Sequence, residues 1–166
     1  TTLYLAGGTE GLQAFDLGDP ESPALLGEVG GQLEPISVAV SGSTAYVCDY
    51  HTGLRIVDVA DPAAPAVRAT LPLPGAGGAV AVADDRAYVA LSEGELVVAD
   101  VSSPAAPRVL GRLPIPGASE VAVGSGFAYV AAKARGVRVV DVQDPARPVE
   151  VGAVLAPWPA PSPDAP

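Results

Sequence analysis

The chain of 166 residues has no methionine and no asparagine, and a single cysteine, histidine, tryptophan and lysine. Each scarcity removes a class of chemistry. Without Asn there is no N-glycosylation acceptor. A lone cysteine, Cys48, closes no internal disulfide, and its place in the strand-like AYVCDY reads as a small buried hydrophobe rather than a reactive thiol. One histidine, His51, does not make a zinc or acid–base centre, which needs ligands converging from several elements. No apolar run approaches the ~18 to 20 residues required to cross a bilayer, because Asp, Gly or Pro interrupts every strand-like stretch, so no membrane insertion is expected within these residues. Basic residues number 9 against 19 acidic ones, and the net charge of −10 repels nucleic acid and anionic lipid alike. The absence of Met predicts a processed mature chain or an excised segment, whose Thr1 and Thr2 are expected to enter a strand directly rather than through a signal region. Missing Met and Asn with scarce Lys fit a thermophile or a GC-rich genome equally.

What is present is 49% hydrophobic residues, 19 glycines and 18 prolines, enough apolar side chain for a real core and frequent turns. A repeat organises them. GLQAFDLGDPESP, GLRIVDVADPAAP, GELVVADVSSPAAP and GVRVVDVQDPARP carry Asp16, Asp58, Asp100 and Asp141 at matching places, and a tyrosine precedes each copy, at Tyr4, Tyr46, Tyr88 and Tyr129. Both marks recur at spacings of 42, 42 and 41 residues.

In the second copy, ISVAVSG, TAYVCDY, GLRIVDV and AVRATLPL are four β-rich runs divided by turn residues, a four-stranded antiparallel meander. Gly42 and Ser43, Asp84 and Asp85, and Ser125 and Gly126 suit a tight first hairpin. The third link is a DP turn, in which Asp58 and its counterparts are expected to accept backbone amides as turn braces rather than act as catalytic acids. The third strand is apolar on both faces, as in Leu54 and Ile56 alternating with Val57 and Val59, so each sheet needs cover on both sides. The fourth run is more polar and suits an outer edge. Sheets covered on both faces at this period predict an all-β fold, a β-propeller of four antiparallel four-stranded blades.

The core GLRIVDVADPAAP, followed by an AYV strand in the next unit, resembles the LVIVD repeat family over almost all of residues 1–155. The resemblance implies a β-propeller, commonly in secreted or surface-attached bacterial and archaeal proteins, and implies no established catalytic residues. The third copy departs, with Ser102 and Ser103 in place of the acidic DP turn. Repeats fall at about 1–33, 34–75, 76–117 and 118–155, leaving the Pro-rich 156–166 as a linker or tail. The first repeat begins at its second strand, so only fifteen strands are expected. Three explanations are open: a ring of four blades with one incomplete, which is favoured, part of a longer six- to eight-bladed chain, or completion by another copy, ring or filament.

Recognition, if the chain has it, is expected in the loops between second and third strands, which share one end with the connections between blades and vary among copies while the opposite turns stay to type; loops also vary where nothing constrains them, and that reading is favoured. The candidate interaction residues are Thr9 and Glu10, Asp49, Tyr50 and His51, Glu93, Lys133 and Arg135, with Glu120 starting an innermost strand where Ser37 and Ala79 stand in other copies. Catalytic, cofactor and metal residues are expected to be none. The expected role is a non-catalytic structural or protein-interaction module, extracellular or at the cell surface, contacting a protein partner or other copies of itself. The alternative is a propeller hydrolase or lactonase-like enzyme with a channel metal, which would need carboxylates or imidazoles from at least three blades. Sugar binding would need exposed aromatics, for which only Trp158 and Tyr50 offer themselves.

Overall fold

Short apolar runs separated by turn residues pair with their sequence neighbours. The computed structural model describes residues 1–155 apart from Gln32 and Ala76. Trp158 and the 156–166 tail therefore lie outside the described residues. The first sheet is β1 (Thr2–Ala6), β2 (Leu12–Asp16) and β3 (Ala24–Val29). The second is β4 (Pro35–Ser41), β5 (Thr44–Asp49), β6 (Gly53–Asp58) and β7 (Ala66–Pro72). The third is β8 (Ala79–Ala83), β9 (Arg86–Leu91), β10 (Glu95–Asp100) and β11 (Arg108–Pro114), and the fourth is β12 (Glu120–Gly124), β13 (Phe127–Ala131), β14 (Val137–Asp141) and β15 (Val149–Val154). Every pairing is antiparallel and each sheet is a meander in chain order.

The turns form by the chemistry of their residues. Asp84 and Asp85, and Ser125 and Gly126, all have positive φ, which matches a hairpin to the right-handed twist of its strands. In the DP turns Asp58 Oδ1 accepts the Ala60 amide at 2.9 Å and Asp61 Oδ1 accepts that of Ala63 at 3.0 Å. Asp141 and Asp144 repeat this with Gln143 and Ala146. In the third blade Asp100 Oδ1 accepts both the Ser102 hydroxyl at 2.7 Å and the Ser102 amide at 3.0 Å, and Ser103 stands where the other copies have their second aspartate. Register shifts at Ala14/Phe15, Ile56/Val57, Val98/Ala99 and Val139/Val140 put one bulge in the same place in all four sheets.

Alternation then gives each sheet a forward and a rear apolar face. Forward Tyr46, Cys48, Leu54 and Ile56 of the second sheet pack on rear Val89, Val97, Ala99 and Val101 of the third. Forward Tyr88, Ala90, Leu96 and Val98 of the third pack on rear Ala128, Val130, Val140 and Val142 of the fourth. Leu12 and Leu33 meet Ala45, Val47, Val57 and Val59 at the first junction, where the Tyr4 hydroxyl also donates to the Val59 carbonyl at 3.3 Å. Full burial of each Val, Leu or Ile contributes about 1.5–3 kcal/mol relative to exposure. The outermost strands β3, β7 and β15 are largely exposed, with Leu25, Leu26, Val149 and Val151 among their exposed side chains.

Contact between neighbouring blades extends to the rim. A Cβ on Gly27 would lie 2.5 Å from the Ala63 carbonyl oxygen in the next blade's DP turn, and one on Gly111 would lie 2.3 Å from that of Pro145. At these two outer-strand positions glycine lets the following turn press directly on the sheet.

The four sheets form an open arc rather than the self-closed ring of four favoured from the sequence. At the rear of the first sheet Leu3 and Leu5 are 44% and 46% exposed, whereas Ala45 and Val47, one repeat later, are at 0%. On the forward face of the fourth sheet Tyr129 and Val137 are 42% and 36% exposed, against 3% and 0% for Tyr88 and Leu96. Sheets one and four do not cover each other.

Candidate functional site

At the end of the arc where blades connect, the loop after β5 is built around a buried charge. Asp49 is the one buried charged residue among the described residues, at 0% exposure. Its Oδ1 accepts the Thr52 hydroxyl at 2.7 Å and the Thr52 and His51 amides at 2.9 and 3.1 Å, and its Oδ2 accepts the Glu34 amide at 2.7 Å. Burial by itself would raise this carboxyl, but the Thr52 hydroxyl and the three amides outweigh it and hold the pKa below the ordinary value. The sequence reading groups Asp49 with exposed loop residues. The structure uses it as the internal clasp of that loop.

The clasp presents its neighbours outward. Tyr50 is exposed, and its amide donates to the Glu34 carbonyl at 2.9 Å. His51 Nε2 lies 3.2 Å from a Glu34 carboxylate oxygen, and the two rings meet edge to face with centroids 5.0 Å apart. Glu34 is the residue that sequence reasoning missed, because it lies in a connection between blades. The signal that could have found the clasp is the Asp49-x-x-Thr52 spacing, which suits a side chain capping its own loop.

The remaining sequence-selected residues stand apart. Thr9 and Glu10 lie in a 3-10 turn (Gly8–Glu10), and Lys133 and Arg135 in another (Lys133–Arg135), all exposed. Glu93 sits against Gly75, where a Cβ would meet its side chain at 2.6 Å. Glu120 opens β12 and is exposed, while at its counterpart Ser37 the hydroxyl accepts the Val80 amide of the next blade at 3.2 Å. No hydrogen bond or ion pair among the described residues joins these residues of one blade to those of another. Nor are three or more His, Cys, Asp or Glu side chains grouped so as to hold a metal ion among the described residues.

At the opposite end a cleft of about 310 Å³ between the second and third blades is lined by Asp58, Arg68, Ser103 and Pro104 among others. Arg68 already pairs with Asp58 there, and hydrogen bonds from the Ala60 amide and from Arg68 keep that carboxyl below its ordinary pKa. The cleft therefore offers a satisfied ion pair rather than a group poised to react. Cys48 is fully buried and its thiol is pushed up to about 12, chiefly by burial, which leaves no thiolate for nucleophilic or metal chemistry.

Residues 36–70, 74–113 and 117–156 match the model of the LVIVD repeat. No curated protein matches the chain. Among solved structures, it superposes on a functionally unknown protein from Desulfotomaculum acetoxidans with a TM-score of 0.74 at 14% identity, covering 93% of this chain and 52% of that one. The β-propeller domain of Cps50 (Swd1) from Myceliophteria thermophila gives 0.69 at 13% identity, with 93% and 56% covered. A chain of a nidogen/laminin complex gives 0.62 at 14% identity, with 89% and 59% covered. The chain thus spans somewhat over half the length of these structures, and at such identities the likeness shows a propeller fold and nothing finer.

Proposed function

The chain belongs to the LVIVD repeat family, and on that premise we propose that it is a non-catalytic β-propeller module that makes protein contacts within an extracellular or cell-surface assembly, with another protein or with copies of itself. The observation that carries the reading is the Asp49 clasp. A fully buried carboxylate with four donors is spent on fixing one loop, and the fixed loop holds Tyr50 and His51 out toward solvent. Tyrosine displayed on a rigid support is a common anchor of protein interfaces, since it brings contact area at low entropic cost. Around it the connecting end carries exposed Thr9, Glu10, Lys133 and Arg135, which differ from blade to blade. Among solved structures of similar fold, one is a chain of a nidogen/laminin complex, which supports reading this fold as one that makes protein contacts.

A photo-crosslinking residue placed in turn at 9, 50 and 133, and at 63 and 105 on the opposite end, tests this in the envelope and secreted fractions of the producing cell. Adducts to one protein from the first three positions and not from the last two are expected. Equal labelling from both ends, or recovery of the chain in the cytosolic fraction, overturns the reading.

A further inference from the structure

We infer that the open forward face of the fourth blade is covered by the rear face of the first blade of a second copy, joined head to tail. The inference rests on reading the chain as a contact-making module and names the contact. Its first support is that the two open faces are the two halves of one junction. Tyr129 and Val137 occupy the repeat positions of Tyr88 and Leu96, which are buried by the following blade. Leu3 and Leu5 occupy those of Ala45 and Val47, which are buried by the preceding one. The chain buries a forward face on a rear face at three junctions and leaves one of each uncovered.

The second support is Gly152, on β15 at the repeat position of Gly27 and Gly111. At those two a Cβ would strike the backbone of the following blade's DP turn at 2.5 and 2.3 Å. At Gly152 the nearest atoms to a Cβ are those of Val139 on its own sheet, at 3.8 and 4.0 Å, so the glycine answers to no turn among the described residues. The seat matches an incoming turn. The first blade ends its β2 in such a turn, Asp19–Ser22, closed by the Ser22 amide on the Asp19 carbonyl at 3.2 Å and exposed. A second copy presenting Leu3 and Leu5 to Tyr129 and Val137 would bring this turn over Gly152.

The Pro-rich 156–166 segment is a poor rival, because alternate prolines cannot supply the ladder of a covering sheet. A second copy supplies both missing halves at once, a rear face for Tyr129 and Val137 and a forward face for Leu3 and Leu5. The contact joins different surfaces of the two copies, which makes it heterologous.

Sedimentation velocity of the 166-residue chain over a wide concentration range tests it. A species of about twice 16.5 kDa is expected, and it should gain population as salt rises, since two chains of charge −10 repel across an apolar contact. Gly152→Gln fills open space and Leu5→Glu changes a half-exposed side chain, so each should keep its circular dichroism and cooperative melting yet lose the dimer. Mixed in equal amounts, these two variants should recover a dimer, because each retains the face the other lacks. A monomer at every concentration overturns the inference and assigns the faces to further blades of a longer chain. An oligomer untouched by either variant, or one the mixture does not restore, overturns it too. If the chain is monomeric while the loop crosslinks persist, this inference fails and the proposed function stands. If the dimer forms without them, the inference stands and the variable loop end is not the contact surface.

Discussion

Asp49 and Glu34 are tied together twice: the Glu34 amide donates to Asp49 Oδ2 at 2.7 Å, and the Glu34 carboxylate meets His51, whose own amide donates to Asp49 Oδ1. Fifteen residues apart in sequence, they join the connection between blades to the loop it abuts. Replacing Asp49 by alanine strands three amides and a hydroxyl in a buried site. Asp49→Ala is expected to lower stability by about 3 kcal/mol in urea unfolding. The loss has a sign in pH. Since the folded carboxyl lies below its ordinary value, its contribution is fully present above an unfolded pKa of about 3.9 and disappears as pH falls through the folded value. The gap between wild type and Asp49→Ala should therefore be constant at neutral pH and close on acidification below about pH 4.

Cys48 gives a second test. Burial is the main reason its thiol is pushed up to about 12, with Asp49 adding to the rise and the Gly78 amide opposing it. At pH 8 the native chain should leave a thiol-specific chromogen unreacted, while denaturant should release one thiol per chain. Reaction in the native state at the rate of a free cysteine would show that the junction between the second and third blades opens readily.

Much of the architecture is legible in the residues because a period carries it. Tyr4, Tyr46, Tyr88 and Tyr129 with the four strand-ending aspartates mark the units, and doubly apolar third strands such as β6 and β10 require cover on both faces. Closure is not legible by the same means. Tyr129 and Val137 are written as Tyr88 and Leu96 are, so the pattern says that the fourth sheet needs a neighbour without saying which one. The site divides likewise. That Tyr50 and His51 are exposed follows from their loop, but the burial of Asp49 depends on the Glu34 amide, a contact made across the connection between blades. Local spacing could reveal Thr52 as a partner and could not reveal Glu34.

Asp100 allows a measurement at the opposite end. The Ser102 hydroxyl, the Ser102 amide and Arg108 bring its pKa down to about 2, in that order of weight. Carboxyl-detected NMR titration should place it there, and Ser102→Ala should move it upward toward the ordinary aspartate value. Arg108→Gln should shift it less, because Arg108 is exposed and its pairing at 2.8 Å is screened by solvent. An unchanged titration in Ser102→Ala would show that the third-blade turn does not use the serine as its second brace.

The rim glycines test how the blades are stacked. Position 27 meets the Ala63 carbonyl, position 111 the Pro145 carbonyl, and the intervening position is Ala69. If the rim contact is set by backbone touching sheet, Gly111→Ala must push the Pro145–Ala146 turn away, at a cost of about 2 kcal/mol typical of overpacking. Gly27→Ala should cost a similar amount. The reverse change, Ala69→Gly, relieves no clash and should cost only about 0.5–1 kcal/mol through backbone entropy. Chemical denaturation of the three variants separates the effects, since a mere loss of strand propensity on gaining or losing a methyl would make the first two stabilising. Destabilisation at 27 and 111 would mean that the turn of one blade and the outer strand of its predecessor form a single packed unit, as the distances require.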